Sequence, residues 1–387
     1  MKHTNSNTFD VIIIGAGPAG SMAAIEVVKS GLSVAIIEKV SLPRRKVCAG
    51  GLVKRATQQI PSDINYPIDQ QCHNIALRID SANIHFSQQR ENLVTMVCRS
   101  AFDMALAAHA KSLGVVVMDN TKVTRIHPEI HHVQVETAQT KLQAKYLIFA
   151  EGATARLSNQ FWSDERVLLP SLEADVYVSD VQFQALKNNA TFDFGCIQGG
   201  YGWIFPKGDH FSIGLAVMNK NANVQLQQAF DAYLHKLGIE NPVSIKNRKG
   251  FVIPLTPRQE PLMKGRMMLV GDTAGLVDPI TAEGLSHAIQ SGRGAGSALV
   301  TAFENPEKVA HIYHTATIQP ILDELRVARL IAKIIYHPNT TWRNLLFRYY
   351  SERLTKGMAD LIEGKRTYAS SLKKHKFLNA IIKKASA

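Results

Sequence analysis

The chain has 387 residues, 45% hydrophobic and 20% charged, the balance of a folded globular protein of two or three domains rather than a disordered or fibrous chain. No apolar run approaches the ~18 residues of a membrane span; the richest early stretch, 11–28, is broken by three glycines and a proline. The net charge of +12 is concentrated at the end of the chain, where residues 341–387 hold eleven Lys/Arg against three Asp/Glu, a bias that suits anionic lipid, nucleic acid or plain solubility.

The opening MKHTNSNT is polar and lacks the apolar core of a signal peptide, so a cytoplasmic setting is expected. FDVIII then predicts a buried parallel strand, GAGPAG a turn, SMAAIEVVKS a helix that stops at Gly31, and SVAIIEK a second strand; together they form a βαβ unit. PRRKVCAGG, 43–51, reads as a loop in which a thiol sits among three cations and ends on two glycines. The alternation of 75–87 predicts a half-exposed hairpin. A helix is expected from Arg99 to Leu113, then short strands to Phe149. Residues 176–217 look like an antiparallel sheet, 267–270 like a buried strand and 283–303 like a helix. From Pro306 onward only helices are expected; one of them has an apolar stripe of Leu325, Ala328, Ile331 and Ile335. The four cysteines, Cys48, Cys72, Cys98 and Cys196, show neither paired nor metal-ligand spacing, so no disulfide framework and no metal are expected.

Gly15, Gly17 and Gly20 spell G-x-G-x-x-G between strand and helix, and Glu38 ends the next strand eighteen residues after Gly20. The first glycine permits the turn, the second the approach of a pyrophosphate, the third close packing, and the acid a ribose diol. A second strand–turn–helix, MMLVGDTAGLVDPITAEGLSHAIQSGRGAG, places Asp272 at a strand end and Glu283-Gly284 at a helix start. Such a helix end can stabilise a reduced flavin anion, typically by up to ~2 kcal/mol. Asp272 reads equally well as a capping or Asx-turn residue. Gly292, Gly294 and Gly296 are poor helix formers, so they suggest close packing. His287 reads as a structural histidine, and Asp278-Pro279 as a turn beside the cofactor.

VIIIGAGPAG with Glu38, CRSAFDMAL with Arg99, IFAEGATARLS and LVGDTAGLVDP together resemble the FAD-binding para-hydroxybenzoate hydroxylase superfamily. Within it, PRRKVCAGG, YGWIFPK and the C-terminal LRVARLIAKIIYHP…GKRTYASSL are similar to the geranylgeranyl reductase family. The resemblance spans essentially the whole chain. It implies an α/β fold: a Rossmann-type, glutathione reductase-like FAD-binding domain in pieces (1–74, 93–170, 263–304), an antiparallel-sheet substrate cap (75–92, 171–262) and a helical basic C-terminal region (305–387). It implies FAD held by Gly15, Gly17, Ala19, Gly20, Glu38, Lys39, Arg45, Cys48, Ala49, Gly50, Arg99, Gly152, Gly271, Asp272, Pro279, Gly284 and Leu285. Cys48 would also be catalytic, since cations beside a thiol favour the thiolate. Tyr201 and Trp203 alternate on a strand, so they share a face and would line the substrate slot, with Lys207 at its mouth. Glu151-Gly152 departs from the family's usual Asp-Gly.

The expected activity is reduction of C=C bonds in a prenyl chain. No second dinucleotide motif follows a strand, and the resemblance implies electrons from transiently bound NAD(P)H or from a ferredoxin-like carrier. The basic tail would rest on an anionic membrane surface from the cytoplasmic side, and no nucleic acid is expected. Two other readings stay open: an FAD monooxygenase or halogenase acting on an aromatic or natural product, and a non-catalytic flavin-bound docking or redox-sensing protein.

Overall fold

A computed structural model of the protein describes residues 7–79, 83–87, 91–338 and 341–370. The strand Thr8–Ile14 buries Val11 through Ile14 on both faces, as a central parallel strand must. It pairs in parallel with Val34–Ile37 and with Lys141–Phe149. Val116–Met118 and Met267–Leu269 extend the parallel sheet on either side. Short antiparallel strands, Val123–Pro128, Val133–Thr137 and Met263–Lys264, complete it.

Helix Pro18–Val28 returns across this sheet, and helix Leu285–Ala302, from nearly 270 residues further on, packs against it. A Cβ at Gly292 would stand 2.1 Å from the Ala19 carbonyl oxygen, and one at Gly296 2.7 Å from Glu26 Cβ. The helix-breaking glycines therefore sit where two backbones nearly touch. Their conformational cost, about 0.5–1 kcal/mol each, is offset by a helix contact that no larger residue permits.

A second sheet runs in the order Ser244–Pro254, Leu168–Tyr177, Phe211–Val217, Gly200–Pro206, Asn189–Phe194, Asn74–Ile79, Asn83–Phe86. Its pairings are antiparallel except that Asn189–Phe194 and Asn74–Ile79 run parallel. That pairing brings the predicted hairpin inside the sheet, so Ile75, Ala76 and Leu77 are all buried rather than half-exposed. The back of the sheet packs Leu172, Ala174, Val176, Ile213 and Leu215 beneath helix Leu226–Lys236, through Phe230, Tyr233 and Leu234. Gly51–Val53, Gln70–Cys72 and Val94–Met96 form a small third sheet, so the predicted loop gives way to strand at Gly51.

The C-terminal region is helical: Pro306–Ile312, a π-type stretch Tyr313–Ile318, Gln319–Ile335 and Thr341–Glu363. In Gln319–Ile335 the buried stripe is Leu325, Ala328, Ala332 and Ile335, with Ile331 only partly covered. Of the basic tail, Lys373, Lys374, Lys376, Lys383 and Lys384 lie outside the described residues. Among the described residues, no helix is long and apolar enough to cross a membrane.

Candidate active site

The first corner of the site is the turn between Thr8–Ile14 and Pro18–Val28. Gly15 has φ +109°, and a Cβ there would lie 2.3 Å from the Ala150 carbonyl oxygen; at Gly20 it would lie 2.0 Å from the Gly15 oxygen. Only glycine fits either place. Gly17 is the N-cap and no side chain caps the helix, so its first-turn N–H groups are free for an anion. Ala19 is buried behind them. Glu38, buried at the end of the second strand, accepts from the Ala16 N–H at 3.1 Å and from Arg44 Nε at 2.9 Å. Arg44 continues to Asp103 at 3.1 Å, and Asp103 holds Arg99 through two bonds of 2.9 and 3.0 Å. Burial works against the Arg99 charge, but Asp103 and Cys48 outweigh it and hold the guanidinium protonated. Lys39 is exposed beside Glu38.

The second corner follows Met267–Leu269. Gly271 donates its N–H to Ser291 Oγ at 2.9 Å. The Asp272 carboxylate caps no helix: helix Leu285–Ala302 has Gly284 as its N-cap, and its Ser286 N–H is taken by Glu283 Oε1 at 2.7 Å. Asp272 stands beside this helix N-terminus, its Oδ1 3.1 Å from where a Gly284 Cβ would be. Gly152 donates to Thr273 Oγ1 at 3.0 Å and joins the corners. Pro279 is enclosed in a turn that Asp278 ties through the Ile280 and Thr281 N–H groups, at 2.7 and 3.1 Å. Glu151 caps the turn at 157–158 instead, accepting from both N–H groups at 2.9 Å. Its extra methylene thus serves a structural bond.

Between these corners and the second sheet lies a cavity whose walls include Cys48, Ala49, Gly50, Arg99, Gly284 and Leu285. Its floor is a sheet face. Directly paired residues on neighbouring strands share a face, and Phe192–Trp203–Gly214–Glu173 are in register across four strands. The next row holds Phe194, Tyr201, Ala216, Ser171 and Phe251. Tyr201 and Trp203 therefore do point the same way, with ring centroids 6.0 Å apart. The Tyr201 hydroxyl donates to the Thr281 carbonyl, and Trp203 Nε1 to Ser212 Oγ at 3.3 Å.

The three cations of PRRKVCAGG diverge. Arg44 turns back to Glu38; exposed Arg45 donates to the Asn247 carbonyl at 2.5 Å, on the cap and not at the glycine corner. Lys46 lies 3.6 Å over the Phe251 ring, and burial lowers its pKa. The cation in contact with the half-buried Cys48 thiol is Arg99, from helix Arg99–Ser112. Gly50 donates to Cys48 Sγ at 3.4 Å, and its φ of +69° lets it pass 2.1 Å, measured from a notional Cβ, from the Val97 oxygen. Lys207 is not at the mouth. It is buried behind Gly50, donates to the Val97 carbonyl at 2.8 Å, and has its pKa lowered by burial.

Sequence reasoning missed three contributions. Met358, Leu361, Ile362 and Tyr368, from the C-terminal region, line the cavity; the Tyr368 hydroxyl donates to Asp278 Oδ2 at 2.7 Å. Arg55 pairs with Glu283 at 2.9 Å in the wall. Glu173 lines the floor and accepts from the Cys48 N–H at 2.8 Å. Period-two Ser171, Glu173 and Asp175, alternating with Leu172, Ala174 and Val176, read as a solvent face; the fold turns that face into the cavity. His287 is buried outside the cavity and kept neutral by burial and Arg55.

The residues fit FAD: an uncapped N-terminus on helix Pro18–Val28, a second helix N-terminus beside Asp272, glycine positions that leave no room for a side chain, and carboxylates at the ends of two strands. Fold and site define an FAD-dependent oxidoreductase. The FAD binding domain family model matches residues 8–316, and the chain belongs to that family as a geranylgeranyl reductase-like member. It is 32% identical over 342 residues (88% of this chain, 87% of the other) to an uncharacterized protein of Methanosarcina barkeri. It is 29% identical to digeranylgeranylglycerophospholipid reductase 3 of Methanosphaera stadtmanae, with 78% and 79% of the chains covered. Identity to the chloroplastic geranylgeranyl diphosphate reductase of Arabidopsis thaliana is 26%, over 85% of this chain and 74% of that one. In fold it is similar to a geranylgeranyl bacteriochlorophyll reductase-like protein of Thermoplasma acidophilum (TM-score 0.72, 21% identity, 89% and 99% covered). The flavin-dependent halogenase CmlS shares the fold almost as well (TM-score 0.70, 20% identity, 93% and 73% covered).

Proposed function

We propose that the protein reduces C=C bonds in the prenyl chain of a lipid or lipid precursor. The observation that carries this reading is the cavity floor, an aromatic sheet face of Phe192, Tyr201, Trp203, Phe205 and Phe251 set against the Cys48 loop. An unactivated alkene offers no carbonyl to polarise, so placement and exclusion of water must supply the rate. Bound FAD, once reduced, supplies the hydride from its N5. On this reading the glycine corners with Glu38, Arg99 and Asp272 hold the cofactor, while Tyr201 and Trp203 orient the apolar chain. Cys48, held by Glu173 and touched by Arg99, is placed to act on a proton at the reacting end. The pieces 1–74, 93–170 and 263–304 form the cofactor domain, and 75–92 with 171–262 the cap.

Electrons enter from NAD(P)H bound transiently or from a ferredoxin-like carrier. The basic C-terminal helices rest on anionic membrane, at roughly 1 kcal/mol per cation near the surface, and flotation with anionic against neutral vesicles tests this.

The main test is anaerobic reduction of the purified protein with dithionite, followed by reoxidation with prenyl lipids and with aromatics, read at flavin absorbance. Reoxidation by prenyl lipids alone is expected, slowed at least tenfold in Cys48→Ala and Trp203→Ala. No reoxidation by any prenyl lipid would overturn the reading. The halogenase-like fold gives a second reading a specific basis: oxygen consumption driven by an aromatic substrate would favour it.

A further inference from the structure

We propose that Glu173 is the proton donor of the alkene reduction, an inference that rests on the prenyl-reductase reading. The position of Glu173 follows from its row in the sheet. Trp203, Gly214 and Glu173 are successive partners across three strands. Gly214 has no side chain, and the Trp203 ring lies in the space it leaves, 2.1 Å from where a Cβ would stand. The indole thus extends over its neighbour toward the strand of Glu173. The substrate-lining aromatic and the carboxyl group share one face of one cavity.

Among the described residues, three carboxyl groups line this cavity: Asp278, Glu283 and Glu173. Asp278 receives hydrogen bonds from Ile280, Thr281 and Tyr368. Glu283 is paired with Arg55 and bonded by Ser286. Each accepts hydrogen bonds on both of its oxygens, so neither has an oxygen left to carry a proton to the substrate. Glu173 has one recorded partner, the Cys48 N–H on Oε1, and no ion pair among the described residues. A protonated acid satisfies that bond through its carbonyl oxygen and keeps an O–H on the other. The charged groups around it are Asp175 on its own strand, Arg45 on the loop and Lys207 beyond the loop, while Cys48 meets it through its backbone N–H. Arg45 is spent on the Asn247 carbonyl and Lys207 on the Val97 carbonyl. Burial, together with Asp175, raises the Glu173 pKa against the Cys48 N–H and these two cations.

The step balances as follows. The alkene π bond breaks; one carbon takes hydride from the reduced flavin and the other takes the Glu173 proton. The flavin is oxidised, the alkene becomes an alkane, and Glu173 is left as carboxylate to be reprotonated from solvent. Glu173 thereby makes the final transfer to carbon; the Cys48 N–H fixes its orientation, and the Cys48 thiol, against Arg99, serves the proton path to it.

Glu173→Gln tests this, because the amide oxygen still accepts from the Cys48 N–H while the acidic proton is gone. Single-turnover reoxidation of the dithionite-reduced protein by a prenyl lipid is expected to slow by about 10²-fold or more, with FAD content unchanged. An infrared spectrum at neutral pH should show a carboxylic-acid carbonyl band that Glu173→Gln removes. Glu173→Asp should recover part of the rate. Parent-like turnover in Glu173→Gln overturns the proton-donor role and leaves the prenyl-reductase reading standing. If the parent reduces no prenyl lipid, that reading fails and the donor role falls with it. Absence of the band, with Glu173 ionised at neutral pH, overturns the proposal whatever the substrate.

Discussion

At the glycine corners, Gly15, Gly20 and Gly292 each stand where one added carbon would meet backbone within 2.0–2.3 Å. The cavity floor opposite is built from bulk, with Phe192, Tyr201, Trp203 and Phe251 packed side by side on a sheet. The first region works by leaving things out, so that backbone N–H groups and two helix ends can reach a charged cofactor. The second works by filling, and its shape follows from side chains that can be exchanged while the strands stay paired. A cofactor corner of the first kind serves many reactions; a floor of the second kind selects among substrates.

The comparison can be broken first at the corner. Gly20→Val forces a side chain into the Gly15 carbonyl, with backbone on both sides unable to yield. The expected outcome is a protein that purifies without flavin colour or fails to fold, read from absorbance and circular dichroism. By contrast, Trp203→Ala on the floor should retain FAD while losing about 3–5 kcal/mol of stability to the cavity it opens, measured by denaturant unfolding.

A smaller loss is expected where the two regions meet, at Arg55–Glu283. Burial alone would raise the Glu283 carboxyl, but Arg55 and Ser286 outweigh it and hold it below its ordinary value. A depressed folded pKa gives stability that is complete above the unfolded value of about 4.3 and is lost as pH falls through the lower folded value. Glu283→Gln leaves the partly buried Arg55 without its ion-pair partner, at a cost of about 1–3 kcal/mol near neutral pH. The difference from the parent should shrink below about pH 4, and acid titration of unfolding checks the sign. The smallest expected effect is Tyr368→Phe, which removes one of three bonds to buried Asp278 at about 1 kcal/mol. It sharpens the comparison if FAD binding is unchanged while cap-side substrate binding weakens.

Much of the corner was legible in the chain. G-x-G-x-x-G, Glu38, Asp272 and Gly284 stand at the strand ends and helix starts that their local contexts imply, because each is fixed by the strand or helix beside it; Arg99 was placed by resemblance. Arg45 was misplaced for the opposite reason: adjacent arginines in a loop are alike in sequence, and only the fold sends Arg44 to Glu38 and Arg45 to Asn247. Lys207 was expected at the mouth of the substrate slot because it follows the end of the strand, yet the Cys48 loop covers it.

By itself, then, the sequence determined the parallel sheet, the glycine turns and the shared direction of Tyr201 and Trp203, since these depend on contacts within a few residues and on periodicity. Tertiary structure alone decided that Glu173 faces a cavity instead of water, and that Arg99 reaches Cys48. It also decided that the C-terminal helix closes the wall with Met358, Leu361 and Ile362. Those facts depend on which surface covers which face of a strand, and the two-residue period of a strand marks a polar face without stating what will lie against it.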